Sequence, residues 1–401
     1  MNVLQVSKYY YPEVGGLEQV VQAFAAGLNG PEYTMRVLAA TPRGRGRTET
    51  IDGVRVRKAA CLGELSSTPI APLFPVELAA AGRTADVLHF HLPNPAAVVS
   101  QLSLGPTDPK VVVTYHSDIV KQAAALRLYR PLLHRFLERA DGIVTTSPRL
   151  LDRSPHLAPH AEKCTVVPLS IDLEEYRDPL DDDAGNAADG RSAATDSPAG
   201  VGSPTGTEPP SDTDRPPGFD LPIDPDRSTV LFVGRLSYYK GVEYLLDAMG
   251  GVDATLLVVG DGEQRAALKQ RTREREGVAF LGRVSDATLK RCYAAADVFV
   301  LPSVAPSEAF GIVQLEAMAH GTPIVNTALP TGVPWVSKDG KTGLTVPPKD
   351  ADALADAIER LLANPDLRRQ YGENARERVH RRFSRETMLD AMAAVYEDVT
   401  E

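Results

Sequence analysis

The stretch "LPSVAPSEAFGIVQLEAMAHGTPIV", residues 301–325, decides the fold. It runs from the end of an apolar strand through a loop into a helix, and on to the next strand. The strand ends at Leu301, the loop spans 302–310, and the helix is expected to begin near Gly311. Glu308 and Glu316 stand eight residues apart across that junction. In open α/β sheets ligands bind outside the carboxyl ends of the strands. The free N–H groups of a helix mouth favour phosphate, and a glycine there obstructs nothing. Glu316, about one and a half turns into the helix, is placed to accept hydroxyl hydrogen bonds from a ribose or a sugar. Glu308 could meet a second polyol. A solvated loop acid and a helix-dipole partner are the alternative readings of the two glutamates.

Similar strand-to-helix units extend in both directions. "NVLQVS", "MRVLAA", "GVRVRKA", "DVLHFH", "KVVVTYH", "GIVTTS" and "CTVVPL" read as strands of a first half. From residue 229, "TVLFVGR", "ATLLVVG", "GVAFLG", "DVFVLPS" and "TPIVNT" form a second set, separated or followed by helical patterns. Runs that are apolar on both faces and alternate with helices imply a parallel sheet covered on both sides. The predicted fold class is α/β, with two doubly wound Rossmann-like domains facing across a cleft. Their bounds are 1–176 and 228–383, and a last helix is expected over 384–399. Ser384 is its N-cap, and Leu389, Met392, Ala393 and Tyr396 form one apolar face. Between the domains, 177–227 is rich in Asp, Pro, Gly, Ser and Ala, and 180–217 reads as a disordered acidic insertion.

Bulk properties narrow the classes. A chain of 401 residues suits two domains, and a formal charge of −10 argues against nucleic-acid binding. There is no apolar run long enough to cross a membrane and no secretory signal pattern at the N-terminus. Cys61, Cys164 and Cys292 show no metal or disulfide spacing, which fits a reducing cytoplasm.

Other strand ends add candidates. In "FVGRLSYYKG", 232–241, Arg235 and Lys240 follow a strand and suit a diphosphate, or are solvated surface charge. In "YYYPEVGGLEQVV", 9–21, Gly15 and Gly16 permit a tight turn with amides facing a ligand; a plain turn is the competing reading. His89, His91 and His116 end adjacent strands; His116 is the stronger functional candidate, and structural roles stay open for the other two. "VVGDGE", 258–263, sets Gly260 and Asp261 in a loop suited to a nucleotide base, or in a simple connection. Residues 121–142 form a basic amphipathic pattern with Lys121, Arg127, Arg130, Arg135 and Arg139. That pattern fits a helix whose leucines cover its own sheet while its arginines are solvated, and peripheral contact with an anionic membrane is the alternative.

Taken in order, "YYPEVGGLEQ", "TYHSD", "VVPLSIDLEEY", "GRLSYYKG", "VVGDGE", "EAFGIVQLE" and "DGKTGLTVPP" resemble the retaining glycosyltransferases of family 4, which have the two-Rossmann GT-B fold. The likeness covers nearly the whole chain apart from 180–217. Ala309 stands where the family often has glycine. The resemblance implies a nucleotide-sugar donor, UDP- or GDP-linked, held mainly by the C-terminal domain. Arg235 and Lys240 would grip its diphosphate, Glu316 its ribose and Glu308 the transferred hexose. Main-chain amides of Phe310, Gly311 and Ile312 would add to the site, Gly16 would approach from the opposite domain, and His116 would line the acceptor side. It also implies metal independence, no cofactor, a glycan or lipid-linked acceptor, and a last helix that crosses back onto the N-terminal domain. Same-face substitution follows, with the leaving diphosphate taking the acceptor proton. A nucleotide-sugar epimerase and a silent sugar-nucleotide-binding subunit are the rivals. A NAD-dependent oxidoreductase is disfavoured, because neither half carries G-x-G-x-x-G after its first strand.

Overall fold

The computed structural model describes residues 1–13, 15–65, 68–119, 123–176, 221–224, 226–273 and 275–401. The predicted insertion 180–217 lies outside them.

The first sheet is built from β1 (Asn2–Val6), β2 (Thr34–Ala40), β3 (Arg47–Ile51), β4 (Val54–Ala59), β7 (Val87–Leu92), β8 (Lys110–Tyr115), β9 (Gly142–Thr145) and β10 (Cys164–Val166), in the order β10-β9-β8-β7-β1-β2-β4-β3. Every pairing is parallel except that of β3, a polar edge strand antiparallel to β4. A small hairpin of β5 (Glu64–Leu65) and β6 (Thr68–Pro69) stands apart. The helices are α1 (Gly16–Leu28), α2 (Phe74–Gly82), α3 (Pro95–Leu104), α4 (Ala123–Arg139) and α5 (Pro148–Arg153). All six residues of β7 are buried, as a strand covered on both faces requires.

The second sheet runs β13-β12-β11-β14-β15-β16 and is parallel throughout. Its strands are β11 (Thr229–Val233), β12 (Thr255–Val259), β13 (Val278–Gly282), β14 (Val298–Leu301), β15 (Ile324–Thr327) and β16 (Gly343–Val346). The helices are α6 (Val242–Ala248), α7 (Arg265–Arg271), α8 (Asp286–Ala294), α9 (Val313–Ala319), α10 (Val333–Val336), α11 (Ala351–Leu362) and α12 (Pro365–Arg382). The order reverses between β11 and β14, and such a reversal opens a crevice at the carboxyl ends of those two strands. The fold is therefore the α/β, two-Rossmann arrangement expected from the sequence.

After α12 the chain crosses over. The Ile171 N–H donates to the Phe383 carbonyl at 3.2 Å, and α13 (Arg385–Thr400) then lies against the N-terminal half. Ser384 caps it by accepting the Thr387 N–H. The Tyr396 hydroxyl meets His89 Nδ1 at 2.7 Å, and Tyr33 donates to Glu397 at 3.0 Å. Among the described residues no helix is long and apolar enough to cross a membrane.

Candidate active site

The loops after β11 and β14 leave adjacent strands, so residues far apart in sequence meet. Lys240 sits on a turn of 3₁₀ helix, Tyr238–Lys240, directly before α6. Its ammonium lies 2.5 Å from Glu308 Oε2, and both side chains are less than a tenth exposed. Ser303 Oγ donates to the same carboxylate oxygen at 3.0 Å, and the Ser303 carbonyl accepts from Thr327 Oγ1 at 2.5 Å. Glu308 is thus fixed by a cation and a hydroxyl. The sequence placed Lys240 and Glu308 at different ends of one ligand. The structure brings them into direct contact beneath the crevice. Ser303 and Thr327, which hold the pair, carry no signal of their own in the sequence.

Arg235 differs from Lys240. It is largely exposed, with Glu263 3.6 Å away as a loose partner. Asp261 is engaged within its own turn: its carboxylate accepts the Gly262 N–H at 2.8 Å, its carbonyl accepts the Leu236 N–H at 2.9 Å, and Arg265 lies at 3.7 Å. Gly260 packs on the first loop so closely that a Cβ there would lie 2.0 Å from the Gly234 carbonyl. The second loop therefore sits directly against the one that carries Arg235.

Glu316 lies on α9, and its Oε2 accepts from the Tyr293 hydroxyl at 2.5 Å. A second hydroxyl, from Tyr176, also reaches it. Burial pushes the Glu316 carboxyl above its ordinary range, and the two tyrosine hydrogen bonds only partly offset that. His320 stacks on Tyr293 with ring centres 5.5 Å apart and meets Tyr176 edge-on. The two tyrosines were not read from the sequence; nothing in their spacing points to Glu316. Gly311, which precedes α9, has φ +76°, and a Cβ would lie 2.6 Å from Leu301 Cδ2. Glycine is required there. The Phe310 ring is buried against Trp335 and Phe383, with centres at 6.3 and 6.1 Å.

A cleft of about 260 Å³ separates the domains here. One wall is the face of α1 that carries Gln19, Val20 and Ala23; the other carries Ile312 and Glu316. Gly16 is the first residue of α1 and is exposed, and Gly15 before it is extended.

On the N-terminal side the three histidines form a buried set. His116 Nε2 is 3.1 Å from His91 Nδ1, and His91 Nε2 is 2.6 Å from Gln5 Oε1. His89 bridges Thr114 and Tyr396. Burial drives the His116 imidazole down to about 4 and His89 to about 3, and it holds His91 well below the usual range. All three are neutral at physiological pH. His89 ties α13 to the sheet, and His91 orients His116. The predicted basic helix is α4: Leu133, Phe136 and Leu137 are buried against the domain's own core. Arg127, Leu128, Arg130, Leu132, Arg135 and Arg139 face solvent. Lys121 lies outside the described residues.

Two Rossmann-like domains with a crevice at a strand-order reversal and polar groups converging on it are the architecture of the GT-B fold. Residues 14–175 match the family model described as Glycosyltransferase Family 4, and 218–378 match Glycosyl transferases group 1. The chain is 30% identical to an O-antigen chain mannosyltransferase C of Escherichia coli, over 100% of this chain and 99% of the relative. It is 31% identical to a D-rhamnosyltransferase of Pseudomonas aeruginosa, over 96% and 92%. The structure superposes on an Anabaena protein solved in complex with UDP-glucose, with a TM-score of 0.71, 20% identity and coverage of 99% and 100%. The chain belongs to glycosyltransferase family 4, and its activity is that of a hexosyltransferase.

Proposed function

We propose that the protein is a retaining glycosyltransferase that moves a hexose from a UDP- or GDP-sugar to a glycan or lipid-linked acceptor in cell-envelope polysaccharide or glycolipid assembly. The observation that carries this reading is the buried Lys240–Glu308 pair on the loops that follow β11 and β14, in the same domain as Glu316, which lines the interdomain cleft. The names of the two relatives, a mannosyltransferase and a rhamnosyltransferase, support the reaction class and the acceptor class. The UDP-glucose of the Anabaena structure supports a nucleotide-sugar donor.

In this reading the C-terminal domain holds the donor. Lys240, Arg235 and the main-chain amides of Phe310, Gly311 and Ile312 take the diphosphate, with Gly260 and Asp261 beside the base. Glu316 takes the ribose. Glu308, fixed by Lys240 and Ser303, takes the hexose hydroxyls. Gly15 and Gly16 approach from the N-terminal domain, and neutral His116 donates to or accepts from the sugar and acceptor. Charge builds on the departing diphosphate in the transition state, so preorganised donors aimed at it are the main catalytic term. The acceptor proton passes to that diphosphate.

The work is cytoplasmic, with the exposed Arg/Leu face of α4 resting on an anionic membrane. Sedimentation with phosphatidylglycerol vesicles at low and high salt tests the contact; absence of binding at low salt removes it. Thermal-shift measurement against a panel of UDP- and GDP-sugars, followed by transfer assays with the sugar that binds, tests the whole reading. Conversion of the donor without any acceptor would replace transfer with epimerisation.

A further inference from the structure

A second cavity, of about 630 Å³, lies outside the interdomain cleft. It runs between the loop Lys338–Thr342, which leads into the edge strand β16, and one face of α12. Lys338 and Lys341 enter it from the loop, and Arg378, Arg381 and Arg382 from the last turns of α12. Glu377 is the one carboxylate among the lining residues, and Arg381 already occupies it at 3.2 Å. Asp339, in the same loop, turns its carboxylate to the Thr345 N–H at 2.9 Å. Among the described residues, Lys338, Lys341 and Arg382 have no carboxylate partner.

The cluster is built rather than incidental. Arg378 is half-buried and locked: its Nε donates to the Val336 carbonyl at 2.8 Å, its Nη2 to the Trp335 carbonyl at 2.7 Å, and its guanidinium lies over the Trp335 ring. Asn374 ties the loop to the helix through the Lys341 carbonyl at 3.0 Å. A chain of net charge −10 thus gathers five cations around one satisfied acid. The Lys338 ammonium is held below its ordinary range, chiefly by Arg378, with burial, Arg382 and Lys341 adding to it. Uncompensated repulsion of this kind is relieved by a bound anion.

We propose that this groove is a second ligand site, separate from the donor crevice, for a small polyanion that carries phosphate groups. Its volume falls within the range of about 300–1,000 Å³ usual for small-molecule pockets. A guanidinium fork flanked by ammonium point charges matches phosphate oxygens. Two sources share this chemistry: a soluble phosphate ester or diphosphate, and the phosphodiester headgroup of an anionic lipid.

The test is lysine acetylation read by mass spectrometry, with inorganic pyrophosphate and, separately, phosphatidylglycerol vesicles as probes. Because labelling is read residue by residue, occupancy of the donor crevice at Lys240 is scored apart from this groove. Lys338 and Lys341 should be protected several-fold, with Lys269 and Lys349 unchanged. Protection by pyrophosphate assigns a soluble ligand, and protection by vesicles alone assigns a lipid. The triple variant Lys338→Gln/Lys341→Gln/Arg382→Gln touches no residue of the donor site. In calorimetry with whichever probe protects the parent, it should lose the groove's binding, with affinity falling about tenfold per cation removed. Its transfer activity without added anion should match the parent protein. Equal labelling of Lys338 and Lys341 with and without both probes, or unchanged binding of the protecting probe by the triple variant, would overturn the proposal.

Discussion

Replacing Lys240 by Met tests the buried ion pair directly. Met fills the volume of the lysine stem but leaves the Glu308 carboxylate, less than a tenth exposed, with only the Ser303 hydroxyl. Removing one partner of a buried pair costs about 3–5 kcal/mol. For a domain of this size each kcal/mol lowers the melting temperature by roughly 2–4 °C. The C-terminal domain of Lys240→Met should therefore melt on the order of 10 °C lower at neutral pH. The double variant Lys240→Met/Glu308→Gln should regain most of that loss, because no charge is left buried. Transfer should fall on the order of 10²–10³ in both variants, since both lack the ammonium. Calorimetric melting, paired with transfer assays, reads all three outcomes. An unchanged melting temperature in Lys240→Met would refute the buried-pair argument.

Arg235→Ala should separate function from stability: exposed pairs contribute about 0–1 kcal/mol, so melting should hardly move while transfer falls on the order of 10²–10³. Glu316→Gln keeps a hydrogen-bond acceptor for Tyr293 but not the charge, and should lower kcat/KM for the donor by about tenfold. Because burial raises the Glu316 carboxyl, donor affinity in the parent should weaken as pH falls through that raised value, and the glutamine variant should lack that limb in a pH–KM profile. Gly311→Ala forces a Cβ into Leu301 at positive φ and should destabilise the C-terminal domain by about 1–3 kcal/mol in denaturant titration.

Much of the fold was legible because parallel strands covered on both faces are predominantly apolar; β11 and β14 are nearly pure runs of this kind, and β1 and β7 are such runs broken by buried Gln5, His89 and His91. The misses follow from the same physics. Strand β3 reads "RTETI", since an antiparallel edge needs no apolar face, and β16 was hidden within a stretch punctuated by glycine and proline. Helix α12 escaped because it is polar over most of its surface and buries only Tyr371, Gly372, Ala375 and Val379. At the site, strand ends marked Arg235, Lys240, Glu308 and Glu316 as candidates. The contact between Lys240 and Glu308 depends on β14 lying beside β11 although β12 and β13 intervene in sequence, and spacing along the chain cannot supply that order.

The rings of Phe310, Trp335 and Phe383 touch one another. Phe310 borders the loop that carries Glu308, and Phe383 is the last residue before the chain changes domain, its carbonyl held by Ile171. Joint and loop therefore share one set of bearings. Phe383 is packed edge-on against both of its aromatic neighbours, so the crossing point is anchored in the C-terminal domain's core. The loop that carries Glu308 and the crossing between the halves thus rest on the same three rings.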